Sequence, residues 1–385
     1  MLQGFNVDKE DEETSYGFPY RVTDLEAVGR LVFSRNQLSA EEKERVQLVF
    51  LQAIINGREG GNLFVTADGA LLRRRLWFES HIPGGRLNIV TLDEALEIMD
   101  LFAKRKGKYY VSSYLTANKG LWYWYSFRDK VPHYNVPVPE PSARTSIEAI
   151  NARHIMEAFA TRLVFLLVSV DEMGMQYYSG VNNDTMDTTM YHFNYFVALM
   201  SGIFDSLAIQ AKNSLRLRFE GDNIPSRISL SQRAGREYLR ALRQSNLALR
   251  RHINTNVDLI NMTYLLREST IHAEGFRTSA FEFNSNDARW RANFLRVPSE
   301  VPEMAIRCGD RALPLDPFSE WGVYLHASGP WLSPYHFAKA AAKRLTKFSD
   351  TFLEILGFPN FIQSLEPSAQ FRRDIETFAR DKLGW

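Results

Sequence analysis

Apolar residues recur at helical spacing through most of the chain beyond residue 146. In NTNVDLINMTYLLRESTIHAEGF (254–276) they fall at Val257, Ile260, Tyr264 and Leu265, with Leu266 beside them, a run too long for one strand. The same period predicts helices over 147–173, 188–211, 230–251, 334–347, 349–356 and 367–382. Thr145 with Glu148 caps the first of these and Ser229 with Gln232 the third. Helix 188–211 is apolar around most of its circumference, which predicts deep burial. Between 276 and 330 the helical period is lost. FRTSAFEF (276–283) and RANFLRV (291–297) alternate at period two, which predicts a β-containing insertion. Ser333-Pro334 restarts the helices, and Gly357 and Pro359 stop the one before them.

Upstream the pattern differs. Thr23 with Glu26, Ser39 with Glu42 and Thr91 with Glu94 have capping-box spacing and open predicted helices at 24–34, 40–56 and 92–105. Short apolar runs in NLFVTADGALLRRR (62–75) and RLNIV (86–90) read as strands, so this part is expected to be a small α/β unit with some parallel pairing. Pro132, Pro137, Pro139 and Pro141 crowd the segment 131–146 and make it an extended linker. The expected fold class is therefore mainly α: a small α/β domain at 1–130, the linker at 131–146, and a helical bundle at 147–385 with its β insertion.

Composition narrows the function only a little. With 45% hydrophobic and 24% charged residues the chain is an ordinary globular one, and a net charge of +1 leaves any nucleic-acid binding to local patches. The single cysteine, Cys308, excludes an internal disulfide and a cysteine zinc site and fits a reducing compartment. The acidic run DKEDEE at 8–13 is the opposite of a signal peptide. The most apolar stretch, 191–211, contains His192, Asn194 and Asp205 and reads as a buried helix. A cytoplasmic protein without a membrane span is expected. GREGGN (57–62) lacks the Gly-Lys-Ser/Thr ending of a phosphate-binding loop, and neither a kinase nor a dinucleotide-binding signature occurs.

The candidate chemistry lies at the end of the 254–276 stretch. An arginine that keeps its charge binds a phosphate oxygen, and an imidazole titrating near neutrality moves a proton to or from a ribose hydroxyl. Arg267 and His272 supply that pair. The same spacing recurs at Arg128/His133 and at Arg74 or Arg75 with His81, but Pro132 and the loop HIPGG keep those off helices. The plain alternative is that Arg267 caps a helix C-terminus and His272 packs in a loop. On an ideal helix, five residues separate the two positions by roughly 140°. They converge only if the helix loosens after Arg267 or a second subunit completes the site.

Other candidates accompany the pair. Asp205 and His192 lie on the buried helix, where Asp205 is either a satisfied structural carboxylate or a group that orients the pair. Arg233, Arg236, Arg240 and Arg243 recur at steps of three and four, a stripe that suits either solvent or an RNA backbone. Lys104, Arg105, Lys106 and Lys108 precede the aromatic run Trp122–Tyr125. Such a combination can hold single-stranded nucleic acid, but a strand pair packed on a core is the better reading. His326 and His336 are too far apart for metal-ligand spacing.

Two long apolar helices, a basic helix, and a helix ending in Arg-x-x-x-x-His followed by IHAEG resemble, across 147–276, the HEPN domain family. That resemblance implies a helical bundle that pairs as a homodimer. It also implies metal-independent cleavage of RNA with no cofactor, Arg267 and His272 taking the family's two catalytic places. It further implies the setting of a toxin or phage-defence effector, with an antitoxin or defence-system protein as partner. The departure is Glu268, where the family most often has Asn or another polar residue. A carboxylate there either holds Arg267 or repels phosphate. The alternative is the same bundle as a dimerising scaffold with a degenerate site. Residues 45–105 resemble the C-terminal half of a PIN-type nuclease domain, through Thr-x-Asp before a leucine-rich turn and through IVTLDEAL. This would make Asp68 a metal-binding carboxylate. No upstream strand ends in a second aspartate, so the segment reads as a remnant in which Asp68 makes a turn before Gly69.

Overall fold

The computed structural model of the chain describes residues 63–65, 67, 72, 88–112, 115–134, 147–179, 182–272, 278–285, 288–309, 320–326 and 329–360. The helices expected at 24–34, 40–56 and 367–382, most of the proline-rich segment, and Asp68 lie outside them. The protein is mainly helical. It divides into two compact units, Met1–Ala103 with Phe281–Ala292 and Lys104–Ala280 with Asn293–Trp385.

In the first unit β1 (Leu63–Val65) and β2 (Asn88–Val90) pair in parallel, Phe64 opposite Ile89. The intervening chain is long enough for the crossover that parallel pairing needs. α1 (Leu92–Arg105) starts where the sequence predicts and for the predicted reason. The Glu94 amide donates to Thr91 Oγ1 at 3.2 Å, and the Thr91 amide donates to Glu94 Oε2 at 2.8 Å.

The second unit opens with an antiparallel hairpin of β3 (Tyr109–Ser112) and β4 (Leu115–Ala117), then α2 (Lys119–Lys130). The aromatic run Trp122–Tyr125, expected as a strand pair, is part of this helix. Asn118 Oδ1 accepts the Leu121 amide at 2.8 Å and caps it, and Tyr123 and Phe127, one turn apart, are both buried. Burial on one helical face thus outweighs the strand preference of aromatic residues. Lys104, read as part of a basic cluster, is buried beside Asp171.

α3 (Ile147–Tyr178) and α4 (Asn183–Ser214) run back along each other, as the Phe165–Tyr195 and Arg162–Ser206 contacts require. At 32 residues each, they span about 48 Å. α4 begins five residues before the predicted 188. The Thr185 amide donates to Asn182 Oδ1 and the Asn182 amide to Thr185 Oγ1, a capping box hidden in a polar segment. Phe193, Phe196, Met200, Ile203, Phe204 and Leu207 are buried, as the apolar circumference of this stretch predicts.

A short 3-10 turn, Pro225–Arg227, leads to α5 (Arg236–Ser245), α6 (Leu247–Thr255) and α7 (Val257–His272). The single helix expected at 230–251 is two helices. Asn246 ends the first and caps the second, its Oδ1 accepting the Leu249 amide at 2.9 Å. Ser229 does not cap α5, because its hydroxyl accepts the Ser231 amide and so closes a turn.

The insertion forms β5 (Thr278–Ser285), β6 (Ala288–Arg296), α8 (Val301–Arg307), β7 (Val323–His326) and β8 (Gly329–Leu332), with sheet order β5-β6-β8-β7. α9 (Pro334–Ile355) starts at Ser333-Pro334 and stops before Gly357, whose φ of 83° suits glycine. It is one helix where two were expected, because Phe348 and Ser349 at the expected break are both buried. The core lies where α3, α4, α7 and α9 meet, around Leu163, Phe204, Leu266 and Phe348. Among the described residues no helix is long and apolar enough to cross a membrane.

Candidate functional site

Leu259, Ile260, Met262 and Leu266 bury α7 in the bundle, and Arg267 emerges just beyond them with 43% of its side chain exposed. Its Nη1 lies 4.0 Å from Oδ2 of Asp205 on α4, which is 40% exposed. The other carboxylate oxygen, Oδ1, accepts the Tyr264 hydroxyl at 2.7 Å, and that hydroxyl accepts from Ser229 Oγ at 3.3 Å. One turn earlier on α4, Gly202 makes room for a neighbour. A Cβ there would lie 2.8 Å from Nε of Arg162, whose Nη1 donates to Ser206 Oγ at 2.6 Å. The half-exposed end of α7 therefore carries a chain of polar groups: Ser229, Tyr264, Asp205 and Arg267, with Arg162 alongside.

Electrostatics give each member a role. Burial pushes the Asp205 carboxyl above its ordinary range, while the Tyr264 hydrogen bond and the charges of Arg267 and Arg162 pull it back. Burial first, and the Asp205 charge second, push the Tyr264 hydroxyl far above its ordinary value, so it acts as a neutral donor. Asp205 thus anchors Arg267 without occupying all of the guanidinium. At 4.0 Å with both groups partly hydrated, the ion pair contributes at most about 1 kcal/mol.

Of the residues singled out in the sequence, Arg267 and Asp205 are brought together, although 61 residues lie between them. Glu268 is exposed beside Arg267. His272 is the last residue of α7, and the helix does not loosen before it. The Ser269 and Thr270 hydroxyls bond back to the carbonyls of Leu265 and Leu266 at 3.0 and 2.9 Å. Positions 267 and 272 therefore keep their separation of roughly 140° about the axis, and a loosened helix does not bring the pair together. Arg233, in a turn, and Arg236, Arg240 and Arg243, on α5, are all exposed. Arg240 is held by Glu237 at 2.6 Å.

His192 packs edge-on against Tyr191, and burial lowers its affinity for a proton. The rival pair is structural: Arg128 donates to the Tyr134 carbonyl at 2.6 Å, and His133 Nδ1 lies 3.0 Å from Asp350 Oδ1. Sequence reasoning missed Tyr264, Ser229 and Arg162 as members of the site. Tyr264 had a signal, since it sits three residues before Arg267 and shares its face. Ser229 and Arg162 had none, because only tertiary packing brings them in. Among the described residues no group of three or more His, Cys, Asp or Glu side chains is placed to hold a metal ion. No family model, curated protein or solved structure matches the chain.

Proposed function

We propose that the helical unit is a HEPN-type endoribonuclease acting in a toxin or phage-defence setting, and that its site is completed by a second copy of the chain. The observation that carries this reading is Arg267 itself. It is a half-exposed guanidinium in the last third of α7, with Asp205, itself held by the Tyr264 hydroxyl, 4.0 Å away on one side and its other side open to phosphate. In the reaction, Arg267 binds the non-bridging phosphate oxygens and stabilises charge that develops on them. His272 of the second copy takes the proton from the ribose 2'-hydroxyl. The 2'-oxygen bonds to phosphorus, the bond to the 5'-oxygen breaks, and that oxygen leaves with a proton. The products are a 2',3'-cyclic phosphate and a 5'-hydroxyl. The exposed arginines Arg233, Arg236, Arg240 and Arg243 suit contacts to the RNA backbone.

A second reading, a dimerising scaffold for nucleic acid or a partner protein, draws on Asp205 and Glu268. Asp205 lies 4.0 Å from Arg267 Nη1, and Glu268 follows the arginine in the chain, so negative charge near the guanidinium competes with phosphate for it. Incubating the full chain with total RNA, with and without EDTA, separates the two. The ribonuclease reading expects cleavage that survives EDTA and falls by roughly 10²-fold or more in His272→Ala. Arg267→Lys should also be impaired, since an ammonium cannot grip phosphate bidentately. Cleavage that needs Mg²⁺ and survives His272→Ala overturns this assignment and points back to Asp68. No cleavage by a well-folded dimer supports the scaffold.

A further inference from the structure

Glycine is disfavoured in a helix interior, yet Gly202 sits near the middle of the 32-residue α4. Arg162 of α3 lies where its side chain would be, since a Cβ there would come within 2.8 Å of Nε and 3.0 Å of Cδ. Ser206, one turn on, holds the tip of the guanidinium. Its hydroxyl donates to the Gly202 carbonyl at 2.8 Å and accepts from Arg162 Nη1 at 2.6 Å. Among the described residues no carboxylate lies within ion-pair distance of Arg162, and the nearby Asp205 pairs with Arg267 instead. Arg162 is therefore a positioned, half-buried cation without a close counter-charge. Holding such a group partly out of water costs free energy that a bound anion recovers.

Aromatic rings continue the same surface. Phe165, one turn from Arg162 on α3, is 45% exposed, and Tyr195 lies two turns from Gly202 on the same face of α4. The two rings meet at 6.4 Å, and Tyr191, 67% exposed, lies near parallel to Tyr195 at 6.5 Å and 21°. Isolated exposed aromatics are ordinary. Three in contact beside an uncompensated guanidinium form the combination that holds unpaired nucleotides, a cation for phosphate and rings for bases.

We propose that Arg162, Phe165 and Tyr195 form a nucleotide subsite for single-stranded RNA next to Arg267, Arg162 holding a phosphate and the rings stacking the adjoining base. The assignment rests on the ribonuclease reading and narrows it to substrates whose bases are unpaired. Two turns of α4, about 10 Å, separate Gly202 from Tyr195, a gap that a phosphate and the base of a neighbouring nucleotide span. A duplex keeps its bases inside and offers this surface only its backbone. The exposed carboxylates Asp187, one turn before Tyr191, and Asp184, one turn earlier still, repel phosphate and end the track there.

Fluorescence anisotropy of a labelled 2'-O-methyl oligonucleotide on the full chain in EDTA reads binding without cleavage, because the 2'-oxygen is blocked. The single strand should bind about tenfold more tightly than the same sequence in a duplex. Tyr195→Ala should weaken binding by roughly tenfold and Tyr195→Trp should not, while Tyr195→Leu should behave like the alanine variant, because stacking needs a ring. Arg162→Gln should weaken binding and lower the slope of log affinity against log salt by about one, and Arg162→Lys should keep the slope. Gly202→Ala favours helix, so its melting temperature should not fall. Its Cβ nevertheless pushes the guanidinium aside, and binding should weaken as in Arg162→Gln. Duplex bound as tightly as single strand, full binding in Tyr195→Leu, or binding indifferent to both Arg162→Gln and Gly202→Ala overturns the proposal. So does a folded wild type that binds neither form. Single-strand binding with the expected dependences, but no cleavage of any RNA, leaves the subsite standing and removes the ribonuclease reading. Cleavage that depends on His272, with binding indifferent to Tyr195 and Arg162, does the reverse.

Discussion

Replacing Tyr264 with phenylalanine removes one oxygen and leaves the ring beside Phe204, so the effect isolates the hydroxyl. That hydroxyl donates to Asp205 Oδ1 at 2.7 Å. A hydrogen bond to a charged acceptor contributes about 1.5–3 kcal/mol, and water replaces part of it at a carboxylate that is 40% exposed. The expected loss is therefore near the lower end, about 1.5 kcal/mol with the carboxylate charged. The direction follows from linkage. Burial already holds the folded-state Asp205 carboxyl above its unfolded value, so the unfolded state binds fewer protons between the two values, and stability falls as pH rises through that window. Without the Tyr264 bond the folded value rises further and the window widens upward. Urea unfolding of wild type and Tyr264→Phe from about pH 4 to about pH 7 should show a stability gap that grows with pH and then levels off. A gap of constant size would mean that the hydroxyl is not bound to a titrating carboxylate, and would refute the site geometry.

Lys104 is 5% exposed, with Nζ 2.8 Å from Asp171 Oδ2, an oxygen that also accepts the Tyr123 hydroxyl at 2.7 Å. Asp171→Ala should cost about 3 kcal/mol in urea unfolding, and the double variant Lys104→Met/Asp171→Leu clearly less, because halving a buried ion pair is worse than replacing it. Equal losses would contradict that. At Gly235 a Cβ would lie 1.8 Å from the Ser229 carbonyl oxygen, so Gly235→Ala should destabilise by about 2 kcal/mol as the backbone shifts. An unchanged melting temperature would count against the tight turn that sets Ser229 under Tyr264.

Much of the framework was legible because its signals are local. The start of α1 is written in Thr91 and Glu94, that of α9 in Ser333 and Pro334, and the buried character of α4 in its apolar circumference. The misreadings share a cause. Asn182, Asn246 and Asn118 each decide a helix boundary through one side-chain hydrogen bond, and an asparagine in a polar segment looks the same whether it caps or turns. The aromatic run in α2 failed differently, since burial of Tyr123 and Phe127 decides its conformation, and their partners come from elsewhere in the chain: Asp171 and Tyr109 for Tyr123, Phe159 and Tyr134 for Phe127. At the site, Arg267 could be chosen from its place at the end of an apolar helix. Its anchoring by Asp205 could only be suspected, and the contribution of Arg162 depends on how α3 lies against α4.

The central claim is that one copy's Arg267 works with another copy's His272, and mixing two inactive variants tests it most directly. Arg267→Ala and His272→Ala chains, each folded and dimeric, are combined in equal amounts, allowed to exchange, and assayed on RNA in EDTA. If the site is shared between copies, half of the dimers are mixed and each holds one intact site, so the mixture should recover roughly a quarter of wild-type activity. A mixture no more active than either parent, beside an active wild type, would place both residues of each site in one chain and contradict the account.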